Sequence, residues 1–76
     1  MPSKSLLRYL GAAVRERREE RGLTQETLAA SAGVHLNTIG KLERGTYNPS
    51  VLLLDAIAIK LDLSLAELFE KAKEKR

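Results

Sequence analysis

The 76-residue chain has no cysteine and no tryptophan, and its only histidine is His35. Without cysteine the chain can form neither a disulfide framework nor a thiolate metal site, and one histidine cannot make a metal cluster. The sequence also lacks a glycine-rich phosphate loop and a carboxylate cluster at a defined helical spacing. These absences argue against an enzyme, and we expect no cofactor and no metal.

Long apolar runs are absent as well. No stretch approaches the roughly 18 apolar residues of a membrane span, and residues 1–5 do not have the pattern of a signal peptide. We therefore expect a cytoplasmic, nucleoid-associated protein without membrane contact. A chain of this length is near the lower limit for a self-sufficient core, and small uncrosslinked domains commonly gain stability from a partner subunit. The net charge of +3 suits an anionic partner but is weak evidence by itself.

The stretch from Thr24 to Gly45 has the pattern of two short helices joined by a tight turn. Thr24 is a favourable N-cap residue, and Gly33 supplies the positive φ that a helix end commonly needs. Val34 can fill the corner between the helices. The inner apolar residues of the two helices are Leu28, Ala29 and Ala32 in the first and Ile39 and Leu42 in the second. This pattern predicts a helix-turn-helix.

Three further helices complete the predicted fold. The first stops at Gly22, and its helical period is carried by Leu6, Leu7, Leu10, Ala13 and Val14. The fourth begins after Ser50, and its core stripe is Val51, Leu54, Ile57, Ala58 and Leu61. A capping box formed by Ser64 and Glu67 opens the fifth, whose inward residues are Leu68 and Phe69. We expect a polar arm at residues 1–5, one domain at residues 6–70 and a basic tail at residues 71–76.

Helix four carries a second apolar stripe on an adjoining face, formed by Leu52, Ala56, Ile59 and Leu63. One helix face packed against a small core does not need both stripes. An exposed apolar patch rimmed by charge commonly marks an interface, which favours a homodimer contact at this stripe. The alternative is that helix four is deeply buried between helices one and five.

Particular residues within this pattern also match a known family. The chain resembles the Cro/phage-repressor (xenobiotic-response-element) helix-turn-helix family over roughly residues 10–69, with matches at Gly22-Leu23-Thr24-Gln25, Leu28-Ala29, Gly33-Val34, Thr38-Ile39, Leu42-Glu43-Arg44-Gly45, Asn48-Pro49-Ser50, Ala58, Leu61, Leu63-Ser64-Leu65 and Glu67-Leu68-Phe69. The resemblance implies an all-α, compact five-helix, lambda-repressor-like domain. It also implies a sequence-specific transcriptional regulator that binds the major groove of double-stranded DNA, as a homodimer on a palindromic operator. We expect no small-molecule effector.

The resemblance assigns the DNA contacts. The family's base-reading positions match Leu36, Asn37 and Lys41, on the side of helix three away from its apolar residues. His35 is at the family's cap position, which usually holds a hydroxyl residue, so it either contacts DNA or is an exposed turn residue. The expected phosphate contacts are Thr24, Gln25, Thr38, Arg44, Thr46, Tyr47 and Asn48. Without a DNA role, Asn37 would be a solvated surface amide and Tyr47 a packing residue of its loop.

Two residues are expected to support the reading helix, and two others are unusual at their positions. The resemblance implies an ion pair between Arg18 and Glu43 that ties helix one to helix three and holds the reading helix at a fixed angle. Gly40 is unusual inside a helix, and a glycine that faces DNA permits close approach. Arg17 departs from the family, where an aliphatic residue is common. We expect its stem to lie along the core edge with its head in water, or the head to contact a phosphate.

Two classes of function follow from the sequence. The favoured class is a DNA-binding regulator, either similar to a restriction–modification controller or a small phage-type repressor. The alternative is an antitoxin-type or adaptor module, a protein of the same fold that works by binding another protein.

Overall fold

Five α-helices and no β-strand form residues 4–76, the part of the chain that the computed structural model describes. In chain order they are α1 (Lys4–Glu20), α2 (Gln25–Ala32), α3 (Leu36–Arg44), α4 (Val51–Lys60) and α5 (Leu65–Glu74). This confirms the predicted all-α, five-helix fold. No helix in this part of the chain is long and apolar enough to cross a membrane.

The two end segments differ from their expected boundaries. The helix α1 begins at Lys4, inside the expected arm at residues 1–5, and α5 continues to Glu74, inside the expected tail at residues 71–76. Residues 1–3 of the expected arm and the side chain of Lys4 lie outside the described part of the structure. The basic C-terminal segment is therefore largely a helical turn that continues α5.

Short polar side chains start three helices where the sequence predicts them. The hydroxyl of Thr24 accepts a hydrogen bond from the Thr27 N–H at 3.0 Å, and Ser50 caps α4 in the same way. At the start of α5, Ser64 and Glu67 form the reciprocal capping box. Each bond satisfies an N–H group that has no partner inside its own helix, so the caps fix where α2, α4 and α5 begin.

One hydrophobic core joins the helices. α1 packs on α3 and α5, α2 packs on α3 and α4, and α4 packs on α5. The largest fully buried side chains are Leu28, Ile39, Leu42, Ile57, Leu61, Leu68 and Val14. Since Leu28 belongs to α2 and Ile39 and Leu42 belong to α3, the contacts that fold the domain also fix the helix-turn-helix in place.

Val51 and Phe69 were predicted to lie in the core and are exposed instead, and Leu6, part of the apolar period of α1, is exposed as well. Leu6 and Val51 lie in the first turns of α1 and α4, and helical periodicity alone does not say where along its length a helix meets its neighbours. Phe69 lies at the edge of the buried stripe of α5, which Leu68 and Ala72 define.

The second apolar stripe of α4 faces outward. Leu52 is 82% exposed and Ile59 is 62% exposed, while Ala56 and Leu63 are half-buried. The alternative of a helix four deeply buried between helices one and five is therefore wrong. α4 packs against α2 and α5 on one side and leaves an apolar surface on the other.

Candidate nucleic-acid interface

His35 caps the N-terminus of α3. Its Nδ1 atom accepts a hydrogen bond from the backbone N–H of Asn37 at 3.0 Å, and its backbone is extended, as an N-cap requires. A ring nitrogen here does what a hydroxyl oxygen does at the starts of α2, α4 and α5. The structure thus gives His35 a local architectural role that the sequence analysis left open.

The end of α3 is anchored by the predicted ion pair. Arg18 donates from Nε to Oε2 of Glu43 at 2.6 Å and from Nη2 to Oε1 at 3.1 Å, a two-pronged contact. The side chains are only 11% and 3% exposed. The remaining Nη1 of Arg18 donates to the carbonyl of Leu23 at 2.7 Å. The hydrogen bond to Glu43 raises the pKa of Arg18 above its ordinary value.

Gln25 joins this network. Its Nε2 donates to Oε1 of Glu43 at 2.9 Å, so the start of α2 and the end of α3 share one carboxylate. The side-chain amide expected to contact phosphate is therefore engaged inside the protein. Its backbone N–H, at the first position of α2, remains on the end of the helix where peptide dipoles favour an anion.

α1 also touches α3 directly through glycine. A Cβ atom at Gly11 would lie 2.2 Å from the carbonyl oxygen of Leu42, and one at Gly45 would lie 2.8 Å from the Cα of Arg8. Only residues without side chains permit this approach of the two backbones. Together with the Arg18–Glu43 pair, these contacts fix the position of the C-terminal half of α3.

The outer face of α3 is polar and open. Asn37, Lys41 and Arg44 are spaced by four and then three residues, which places them on one stripe opposite the buried Ile39 and Leu42. All three stripe residues are exposed, and so is Leu36 beside them. The structure therefore brings the three predicted base-reading residues of α3 to one accessible surface, with a basic residue at each of two successive turns.

The expected phosphate contacts have different environments. Asn48 is exposed, whereas Thr38 and Tyr47 are half-buried. Thr46 donates from Oγ1 to the carbonyl of Lys41 at 3.2 Å and so covers the end of α3, while the Thr24 hydroxyl is engaged as the α2 cap. Gln25, Thr46 and Asn48 thus border α3 from both its neighbouring segments.

Arg17 has polar partners within the protein. Its Nε donates to the carbonyl of Leu61 at 2.9 Å, and its Nη1 lies 3.5 Å from Glu20, so the head group is not surrounded by water alone. Nearby, Arg21 pairs with Asp62 at 3.3 Å. Arg17 of α1 and Arg21 just after it thus hold the two residues that follow α4.

The end of α4 closes without a glycine. Asp62 takes the positive φ of 60° that a glycine usually supplies, and the N–H of Leu63 donates to the carbonyl of Ala58 at 2.9 Å. Arg17 donates to the carbonyl of Leu61, which lies beyond the last helical residue. Which arginine reaches it depends on the tertiary packing of α1 and could not be read from the sequence.

Comparison with known proteins gives three findings. A family model described as helix-turn-helix matches residues 14–68. An uncharacterised HTH-type transcriptional regulator of Methanothermobacter thermautotrophicus is 53% identical over 45 residues, which are 59% of this chain and 65% of that protein, just under two thirds of its length. The crystal structure of the restriction–modification controller protein C.AhdI from Aeromonas hydrophila is 39% identical with a TM-score of 0.80, covering 82% of this chain and 94% of that one.

A further solved structure contains DNA. The controller protein C.Esp1396I, as a tetramer in complex with its natural 35-base-pair operator, is similar to this chain with a TM-score of 0.83 at 28% identity, over 92% of each chain. The segment that the family model matches includes α2, α3, α4 and both members of the Arg18–Glu43 pair.

Proposed function

Because the chain belongs to the helix-turn-helix family, of the Cro/phage-repressor (xenobiotic-response-element) type, we propose that it is a sequence-specific, double-stranded-DNA-binding transcriptional regulator. It acts as a homodimer on a palindromic operator in the cytoplasm. The observation that carries this proposal is the outer face of α3, where Asn37 and Lys41 are exposed on a helix that α1 and α2 fix from behind.

α3 supplies the sequence readout. An α-helix fits the major groove, where base pairs differ in donors, acceptors and methyl groups. Asn37 offers a donor and an acceptor together, which suits N6 and N7 of adenine, and Lys41 donates to O6 or N7 of guanine. Leu36 is placed to contact a thymine methyl group. His35 contributes by holding the first turn of α3 in shape, which fixes where Leu36 and Asn37 point.

Phosphate contacts supply most of the affinity. They position a protein on DNA without reading sequence, and they make binding sensitive to salt. Asn48 and Tyr47 contribute from the loop after α3. Thr38 contributes from the helix itself, and Thr46 contributes from just past its C-terminus. On the other side, the N-terminus of α2 presents backbone N–H groups at Thr24 and Gln25.

The outward stripe of α4 supplies the dimer contact. Leu52 and Ile59 form an apolar surface that a second copy of the chain would cover, with Ala56 and Leu63 at its margin. One helix reads only about four or five base pairs, whereas a twofold dimer doubles the readout and places two reading helices about 34 Å apart, one DNA turn. The tetrameric state of the similar C.Esp1396I protein on its operator supports assembly of this kind. With dimerisation coupled to binding, occupancy of the operator rises more steeply than linearly with protein concentration.

The decisive test is selection of bound sequences from random DNA at about 150 mM salt, a concentration at which nonspecific phosphate binding is weakened. The expected result is an inverted repeat whose half-sites lie one DNA turn apart. Asn37→Ala should lower affinity for the selected operator about tenfold or more with little change on random DNA. The matched control Asn48→Ala should weaken both DNAs similarly. Enrichment of no motif would overturn the proposal and would favour a protein partner for the α4 stripe, as in an antitoxin-type module.

A further inference from the structure

Arg44 lies back along α3 instead of reaching out from its end. Its Nη1 lies 3.1 Å, its Cζ 3.9 Å and its Nη2 4.0 Å from the position that a Cβ of Gly40 would occupy. Side chains on a helix lean toward its N-terminus, so residue i+4 covers residue i when that position leaves room. Gly40 has no side chain to pack into the core, yet it is buried. The guanidinium of Arg44 covers it.

The chemistry of this guanidinium is not used by the fold. Within residues 4–76, Arg44 takes part in no ion pair and no side-chain hydrogen bond, in contrast to Arg15, Arg17, Arg18 and Arg21. Its stem is on the same outer stripe as Asn37 and Lys41. The head is displaced about one helical turn toward the N-terminus, about 6 Å at 1.5 Å per residue. It therefore lies over Gly40, between the turn of α3 that carries Asn37 and the turn that carries Arg44.

We propose that Arg44 is a base-reading residue that recognises guanine, and that Gly40 makes this possible by leaving the surface of α3 bare. A Cβ at position 40 would lie only 3.1 Å from Nη1, so alanine would displace the guanidinium by a few tenths of an ångström and a longer side chain would take the space that it occupies. A planar guanidinium donates two parallel hydrogen bonds to O6 and N7 of guanine, a geometry that lysine cannot reproduce. The missing side chain at Gly40 thus lets the Arg44 side chain, rather than DNA, come close to the backbone of α3.

This inference rests on the proposed function and changes the role expected for Arg44 from phosphate contact to base contact. The two roles differ in what they predict. A phosphate contact depends on charge and acts on every DNA sequence alike, whereas a guanine contact depends on the shape of the guanidinium and acts at one base pair of each half-site.

The test compares selected motifs for the wild-type chain, Arg44→Lys and Gly40→Ala. Arg44→Lys keeps the charge, so affinity for random DNA and the slope of affinity against salt should stay close to wild type. Preference for guanine at one position of each half-site should fall about tenfold or more. Gly40→Ala should relax the same position while leaving the chain folded, since alanine favours helix more than glycine does.

The double variant Gly40→Ala/Arg44→Lys separates a direct from a shared effect. If Gly40 acts through Arg44, the double variant should lose no more guanine preference than Arg44→Lys alone. Equal losses on operator and random DNA, an unchanged motif in Arg44→Lys, or additive losses in the double variant would each overturn the assignment. A failure of the proposed function is distinguishable, because then the wild-type chain itself would select no motif.

Discussion

At the scale of the residue, His35 caps the start of α3 with a ring nitrogen, where the other capped helices use the hydroxyl of serine or threonine. We expect His35→Ala to lower the free energy of unfolding by about 1 kcal/mol, because the N–H of Asn37 loses its acceptor. His35→Ser should restore most of that loss, since a hydroxyl can accept the same bond. Urea denaturation of the three proteins measures both changes. Equal stability of the alanine and serine variants would show that the Nδ1 contact contributes nothing.

Arg18 gives a second prediction at the same scale. Arg18→Met leaves the carboxylate of Glu43 nearly buried without its main partner, and we expect a loss on the order of 3 kcal/mol in the free energy of unfolding. Arg15→Met is the matched control, because the Arg15–Glu19 pair is exposed and such helix pairs contribute less than about 0.5 kcal/mol. Adding Glu43→Leu to Arg18→Met should recover part of the loss, since it removes the unpaired charge. A double variant less stable than the single would contradict this.

At the scale of the element, two glycines have nearly the same left-handed backbone conformation but differ in the space around them. Alanine substitutions at the two positions therefore distinguish the cost of that conformation from the cost of a steric clash. Gly33 ends α2 with φ 72° and has nothing within 4 Å of its missing Cβ, whereas Gly45 ends α3 with φ 76° and faces the backbone of Arg8. We expect Gly33→Ala to cost about 1 kcal/mol from the left-handed conformation alone. Gly45→Ala should cost clearly more, because α1 must also move away from α3. Thermal unfolding followed by circular dichroism compares them, and equal losses would remove the argument for tight packing.

The helices were easier to predict from the sequence than the contacts between them. Thr24, Ser50 and the Ser64–Glu67 box mark helix starts through local chemistry, which is why the starts of α2, α4 and α5 follow from the sequence. The hold of Arg17 on Leu61 is a contact between residues 44 apart in the chain, and no local pattern encodes it. The outer polar face of α3 was predictable because it lies opposite the apolar residues Ile39 and Leu42. The position of the Arg44 head group was not, because a rotamer depends on neighbouring space.

At the scale of the whole molecule, the outward stripe of α4 predicts the oligomeric state. Leu52→Lys/Ile59→Lys should shift the chain from dimer to monomer at tens of micromolar, as measured by sedimentation velocity. At a lower concentration, where the wild type is itself monomeric, the thermal unfolding curves of the two proteins should be the same. Both residues are largely exposed in the single chain, so the fold does not depend on them. Like charges brought together across a twofold axis would oppose association.

Leu6→Lys is the control for this prediction. Leu6 is also an exposed leucine, but it lines a separate groove with Tyr9 and Phe69, between α1 and α5. It should leave the dimer intact. Dissociation by Leu6→Lys with no effect of the α4 variants would place the contact between subunits on the other side of the domain.

The residues that hold α3 in place differ from those on its outer face, and this separation affects how such a protein diverges over evolutionary time. The groups that fasten this helix, namely Glu43, Ile39, Leu42 and the Gly45 backbone, all lie on its inner side or at its end. Leu36, Asn37 and Lys41 support nothing behind them, so mutation there carries little risk of unfolding. Under the proposed function, the preferred operator can therefore change through a series of folded intermediates, and duplicated copies of the gene can acquire separate targets with the same fold.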